Sequence, residues 1–424
     1  MVAKLRIKST NRACDFIPRR PCMDTLYFPW YVRDPEPPIE GRNEVLYSLG
    51  GHIDGGFNLQ LSSFERFVDK ILYSHRLPDG TWSNPEFIIT KSFFTWMQDD
   101  EFLAANLDTF IGCTASPTVV KIDGLYHMAF CATVSDPNCT TAGHGGTGEN
   151  AYGSCVVPWS YFIVYWATSE DGANWTLVDM QRQNRNIALQ HAAVYYEPTP
   201  ADIGFDKPGQ IGEFQGAHHV SILHEPDDGF IYLTIEFWTV VGDKNGLLRT
   251  PVGAIGQFEI WDGPNNARWV PLEDGRLPEW FNTDRWRGNP FAHIISGIAH
   301  TSLAPGFKYI LTAQGAGVDH GKRGMNNCIE VAFSKGDLTR WEGLDVVDTA
   351  IPTLDGSGAD NIVLNPVYCE DGKGSYFFLF ATNDDDADGV PGCDGDPYPG
   401  LAIYQGKPVA PKKKRAARRL PPSE

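Results

Sequence analysis

The chain has 424 residues with 43 Gly, 30 Pro and 12% aromatic residues, a turn-rich composition that suits an all-β protein of one large domain or two ordinary ones. No stretch approaches the ~18 apolar residues of a membrane-spanning helix, and the basic amino terminus has no apolar run behind it, so no secretory signal is visible. The net charge is −18; residues 412–424 carry +5, which leaves −23 for the rest. A body that acidic repels nucleic acid and anionic membranes and suits a neutral or cationic partner.

Residues 1–22 read as an N-terminal extension. A repeating unit then begins at Asp24. Asp24–Arg33 and Asn43–Gly51 form a first and a second strand, and Ile71–Trp82 supplies a third strand whose turn ends on tryptophan. In the second copy, Ser116–Phe130 holds two strands around Asp123-Gly124, a strong two-residue hairpin signal, and Phe162–Trp175 is the third strand with its turn. The third copy pairs His219–Ile235 with Gln257–Trp269, and the fourth pairs His300–Thr312 with Cys328–Trp341. The fifth runs from Asp360 to Phe380 and ends on Gly400–Lys407, which lacks the tryptophan, as a terminal repeat commonly departs from its fellows. Five meanders in order predict a five-bladed β-propeller over residues 23–410. A β-sandwich with long insertions is the rival fold, and it would show the alternation without the returning tryptophan turn. The tryptophans are expected to pack between blades. Residues 411–424 form a basic low-complexity tail, expected to be disordered.

In a propeller the first strands line the axis, so the residues that open them face one another. The alignment makes these Asp24, Ser116, His219, His300 and Asp360. Loops between second and third strands open onto the same rim and carry His52, Asp54, Asp319 and His320, while Glu213 precedes the third blade and Trp30 lies in the first. Carboxylates beside aromatic platforms suit sugar rings, whose apolar faces stack and whose hydroxyls need acceptors.

Three stretches point to a family. Ser116-Pro-Thr-Val-Val-Lys-Ile-Asp-Gly-Leu-Tyr-His-Met128, and the endings Ser169–Trp175 and Ser334–Trp341, resemble blade openings and endings of the five-bladed glycosidase propellers, namely glycoside hydrolase family 43 and its invertase-like relatives. The resemblance covers about residues 23–407. It implies hydrolysis of a glycosidic bond by paired carboxyl groups, with aspartates from early blades and a glutamic acid from a later one. Asp24 matches the first-blade aspartate. Ser116 stands where that family has the aspartate of Ala-Pro-Asp, and His300 where it has Glu-Gly-Pro. The resemblance therefore implies Asp24 and Asp360 as base and electrostatic partner, with His300 or Glu213 as acid; some agar-oligosaccharide-cleaving propellers are similar in this respect. Ser116, His219, Trp30, His52, Asp54, Asp319 and His320 would bind substrate. The alternative is a glycan-binding or structural propeller that has lost its acid. A third reading uses His219 and His300 as metal ligands.

Asp384, Asp386 and Asp388 followed by Gly389 have the spacing of a calcium loop, and Asp394 and Asp396 could close the shell. Six carboxylates in residues 384–396 would repel one another strongly without a cation. Cys113, Cys131, Cys139 and Cys155 crowd one blade, which suggests either one or two disulfides around residues 133–158 or buried thiols. Clustered cysteines and a calcium-type loop together suggest an extracellular or cell-surface protein. Nothing in the sequence sets an oligomeric state.

Overall fold

The structure, a computed structural model, describes residues 6–8, 25–51, 69–89, 93–94, 111–135, 160–183, 187–195, 215–238, 244–273, 293–315, 328–350, 364–372, 375–384 and 400–409. It is all-β; among these residues the only helices are single turns at Ile187–Gln190, Val252–Ala254 and Gly263–Asn266. Among the described residues no helix is long and apolar enough to cross a membrane.

After β1 (Arg6–Lys8) the strands form five antiparallel meanders. The first is β2 (Thr25–Arg33), β3 (Glu44–Gly51), β4 (Asp69–His75) and the short β5 (Glu86–Phe87). The second is β6 (Ile111–Ile122), β7 (Leu125–Ser135) and β8 (Ser160–Ser169), with β9 (Thr176–Leu177) and β10 (Val194–Tyr195) on the far side of β8. The third has five strands: β11 (Gln215–Glu225), β12 (Phe230–Trp238), β13 (Lys244–Pro251), β14 (Glu259–Trp261) and β15 (Trp269–Pro271). The fourth is β16 (His293–His300), β17 (Tyr309–Gly315), β18 (Cys328–Ser334) and β19 (Glu342–Ala350). The fifth is β20 (Leu364–Glu370), β21 (Tyr376–Asp384) and β22 (Gly400–Val409).

Middle strands are buried on both faces. Every residue from Phe162 to Ala167 in β8 and from Met128 to Ala132 in β7 is buried, which is why those runs are continuously apolar rather than alternating. The first strands pack on one another in a closed order: β2 on β6, β6 on β11, β11 on β16, β16 on β20 and β20 on β2. Chain ends meet as well. β1 pairs antiparallel with β22 and parallel with β19, so Arg6–Lys8, expected to lie in an extension, completes the fifth meander as its fourth strand.

The third meander corrects the tryptophan repeat. Gln257–Trp261 was expected to be its third strand, but Lys244–Pro251 pairs along β12 in that place and β14 is fourth. Lys244-Asn-Gly-Leu-Leu-Arg-Thr-Pro251 offers little alternation for a sequence reading to detect. Trp82, Trp175 and Trp341 each follow a third strand, whereas Trp269 opens β15. Two of these turns close in the same way: the indole of Trp175 donates to the Gly172 carbonyl (3.2 Å) and that of Trp341 to the Leu338 carbonyl (2.7 Å). Tyr47 of the first meander donates to the same Gly172 carbonyl (2.6 Å) and packs edge-on to Trp175, so this tryptophan turn sits between neighbouring sheets. Gly172 is at φ +76°, and a Cβ there would lie 3.0 Å from the Tyr47 hydroxyl, which makes glycine the residue that fits.

Candidate functional site

Each first strand breaks register at a common level, and β6 breaks a second time between Ile111 and Thr114. The breaks fall between Tyr27 and Trp30, Ala115 and Thr118, His218 and Ser221, Ile295 and Gly297, and Leu364 and Val367. Four of these bulges place a non-glycine residue in the left-handed region: Phe28 (φ 50°), Ser116 (49°), His219 (44°) and Asn365 (49°). Such residues cost on the order of 1–3 kcal/mol each and cluster at functional sites. With Ser296 they surround a narrow axial pocket of about 10 Å³, room for roughly one water. Phe28 reaches across to stack on His219, with ring centroids 4.9 Å apart. The ring is thus a floor across the axis. On its far side lies a mainly apolar chamber of about 220 Å³, bounded by Trp30, Ile222, Leu223, Ile298, His300 and Tyr368.

Proline inside a strand is largely confined to edges, strand starts and bulges, and Pro29, Pro117 and Pro366 mark three of the five breaks. That signal was available in the sequence, and aligning on it gives Phe28, Ser116 and Asn365; His219 and Ser296 complete the ring at breaks without a proline. Ser116 and His219, expected to open their strands at a rim, instead lie inside β6 and β11 at the bulges, and both are buried. Trp30 is buried beside the ring, its indole donating to the Val119 carbonyl of β6 (2.8 Å).

His300 is not in the ring. It was expected to open the fourth blade, but His293–Ile298 precede it in the strand and it closes β16 beside the turn to β17. Its Nε2 lies 3.3 Å from the His224 carbonyl and 4.0 Å from a Glu225 carboxylate oxygen. His224 is five residues along β11 from His219, about 16 Å at strand rise, so His219 and His300 do not share an ion. The error came from anchoring on polar residues at strand ends, when the recurring feature is the bulge. Asp24, Asp360, Glu213, His52, Asp54, Asp319 and His320 lie outside the described residues, as do Asp386, Asp388, Asp394, Asp396 and the tail 411–424. Of the acidic loop, only the backbone of Asp384 is described, paired with Gly400 at the end of β21.

Sequence reasoning missed a cluster on the third meander. His218, His219 and Glu236 place one donor atom each within 4.8 Å of one another, and all three are buried. Adjacent strand residues ordinarily point to opposite faces. The bulge at His219 cancels that alternation, and the two imidazoles meet with centroids 3.7 Å apart. Nδ1 of His219 is hydrogen-bonded to Oε2 of Glu236. Phe28 and Phe162 pack against the imidazoles, Phe162 at 4.1 Å from His218. Burial lowers the pKa of His219 to about 3 and holds His218 well below the usual imidazole range, with His219 adding repulsion. The strand is pinned here by Gly216 at φ +107°, where a Cβ would stand 2.2 Å from the Phe162 carbonyl oxygen.

The trailing ends of the first strands are built differently. Asp34, just beyond β2, accepts from Lys121 (2.6 Å) and from the Tyr126 hydroxyl of the second meander. Glu225, ending β11, accepts from Tyr309 and lies 3.0 Å from Lys308 of the fourth. Glu370, ending β20, accepts from the Ser302 amide (2.7 Å) and hydroxyl (2.8 Å). Burial pushes the carboxyl pKa values of Asp34 and Glu225 up. Hydrogen bonds from Lys121 and Tyr126 to Asp34, and from Tyr309 and Lys308 to Glu225, outweigh it and leave both below the ordinary value. These are joints between sheets.

No family model matches the sequence, and no curated protein matches it. Solved structures similar to the chain include a glycoside hydrolase (TM-score 0.48, 11% identity, covering 100% of this chain and 96% of that one). A BT0996 RGII complex is also similar (0.49, 12%, 100% and 96%), as is the native arabinanase Arb43A of Bacillus subtilis (0.40, 13%, 90% and 94%). At these identities the likeness brings no residue role with it.

Proposed function

We propose that the five meanders are the blades of a five-bladed β-propeller and that the chain is carbohydrate-active, hydrolysing a glycosidic bond in an oligo- or polysaccharide. The observation that supports this reading is the ring at Phe28, Ser116, His219 and Asn365: four left-handed, non-glycine residues on one axis, backbone strain spent where first strands converge. Asp24 and Asp360 stand one and four residues ahead of β2 and β20 in the sequence. In this reading they act as base and electrostatic partner, with Glu213, two residues ahead of β11, as general acid. His300 is withdrawn from the acid role because it sits at the opposite end of its strand. His52, Asp54, Asp319 and His320 would contact substrate, and a calcium ion in the loop Asp384–Asp396 would hold the fifth-blade wall, as suits an extracellular protein.

The second reading is a glycan-binding propeller without catalysis. It is favoured by the described ring lining, which offers Ser116, Ser296, Asn365 and His219 but no carboxylate. Reducing-end release from a panel of aryl-glycosides and neutral oligosaccharides separates the two. The enzyme reading expects one class to be cleaved by the wild type and at least about a hundredfold more slowly by Asp24→Ala. Binding without cleavage leaves the second reading; neither binding nor cleavage overturns both.

A further inference from the structure

The cluster on β11 and β12 does not depend on that reading. One oxygen of the buried Glu236 carboxylate, Oε2, is met by Nδ1 of His219. The second imidazole reaches the same place only because His219 takes φ 44° and breaks the strand's alternation. Two imidazole nitrogens and one carboxylate oxygen, all within 4.8 Å, are the donor set of a first-row divalent metal. Imidazole suits zinc, copper, iron and nickel, whereas calcium takes six to eight oxygens.

We infer that His218, His219 and Glu236 form a binding site for a divalent transition metal of the zinc type, set beside the propeller axis. Metal–donor bonds of about 2.0–2.1 Å place tetrahedral donors roughly 3.3 Å apart, so side-chain rotations within the cluster suffice. The surroundings are those of a built site: Phe28 and Phe162 cover the imidazoles, and Asn245 stands directly opposite Glu236 in the register of β12 and β13. Three protein donors leave the fourth position of a tetrahedral ion for an oxygen ligand, water or a sugar hydroxyl, and His219 borders the axial pocket from which it would come. The site uses neither His300 nor the acidic loop.

The test uses the untagged full chain, stripped with chelator and re-equilibrated with Zn²⁺ or Co²⁺. Expected are one tightly held equivalent, a rise in the thermal midpoint on Zn²⁺ addition, and an X-ray absorption spectrum of the Zn²⁺ form fitted by two imidazole ligands and no sulfur. Glu236→Gln and His218→Phe are each expected to weaken binding at least tenfold while keeping the wild-type circular dichroism; Asp386→Asn/Asp388→Asn is expected to leave the equivalent in place. Failure of the folded wild type to hold a stoichiometric ion overturns the site. So does a spectrum with fewer than two imidazoles, a reading that needs no variant to fold. An ion lost in the loop variant but kept in Glu236→Gln assigns the metal to the acidic loop and also overturns it. Loss of hydrolysis alone is not a readout, so failure here and failure of the glycosidase reading stay distinguishable.

Discussion

The third meander brings a carboxylate to a histidine at two places, and the two differ in what else arrives. At the trailing end of β11, Glu225 is met by Lys308 and Tyr309, with His300 4.0 Å away. A protein cation and a hydroxyl hold the carboxylate charged, and the imidazole is half-exposed at the edge of a joint. At mid-strand, Glu236 is met by His219, with His218 against it, under two phenylalanine rings. Burial holds the pKa of both imidazoles below the ordinary value. The first arrangement locks two sheets together; the second gathers donors. A carboxylate–histidine pair is therefore not a functional signature until its remaining neighbours are known.

The sharpest way to break the mid-strand arrangement is Gly216→Ala. The new Cβ would overlap the Phe162 carbonyl oxygen at 2.2 Å with φ at +107°. A loss of at least about 3 kcal/mol is expected in urea denaturation, and a wild-type midpoint would mean that this close approach does not position the histidines. At the joint, Glu225→Ala leaves the Tyr309 hydroxyl without its acceptor and takes from Lys308 one of its two carboxylate partners, Asp227 being the other. Its expected cost is about 2 kcal/mol. Metal-free Glu236→Gln, an isosteric loss of a buried charge, should cost under about 1 kcal/mol by the same assay. Equal costs would erase the contrast between the two regions.

Acidity sharpens it further. Asp34 and Glu225 have folded pKa values below their ordinary 3.8 and 4.5. Their stabilising contribution is complete above those ordinary values and is lost as pH falls through the folded ones. Denaturation midpoints of the metal-free chain should fall from about pH 5 downward, and Asp34→Asn with Glu225→Gln should flatten that limb. An unchanged limb would show that the joints do not govern acid stability. The smallest effect expected is that of Trp175→Phe, which keeps the ring but removes the bond to Gly172; about 0.5–1 kcal/mol should be lost, read as a small shift of the thermal midpoint.

The repeat was legible because continuous apolar runs such as Phe162–Ala167 and the hairpin at Asp123-Gly124 are local signals. Third strands that lack alternation, like Lys244–Pro251, were not. The axial residues were half legible. Ser116 precedes a proline that marks its bulge, yet His300 was drawn into the ring by its chemistry rather than its register. The meeting of His218, His219 and Glu236 was not legible, since two adjacent histidines in a strand read as facing opposite ways until a bulge and a cross-strand partner are known. Asp24, Asp360 and Glu213 stand on the sequence pattern alone.

The central claim is that sugar binds on the axis, above the ring. A crystal structure of the wild type with an oligosaccharide identified by the panel tests it most directly. The predicted result is a sugar ring at the leading ends of the five first strands, over Phe28, Ser116, His219 and Asn365, with the Asp24 carboxylate against it. A sugar seated on an outer strand, or in the apolar chamber beside His300, would contradict it.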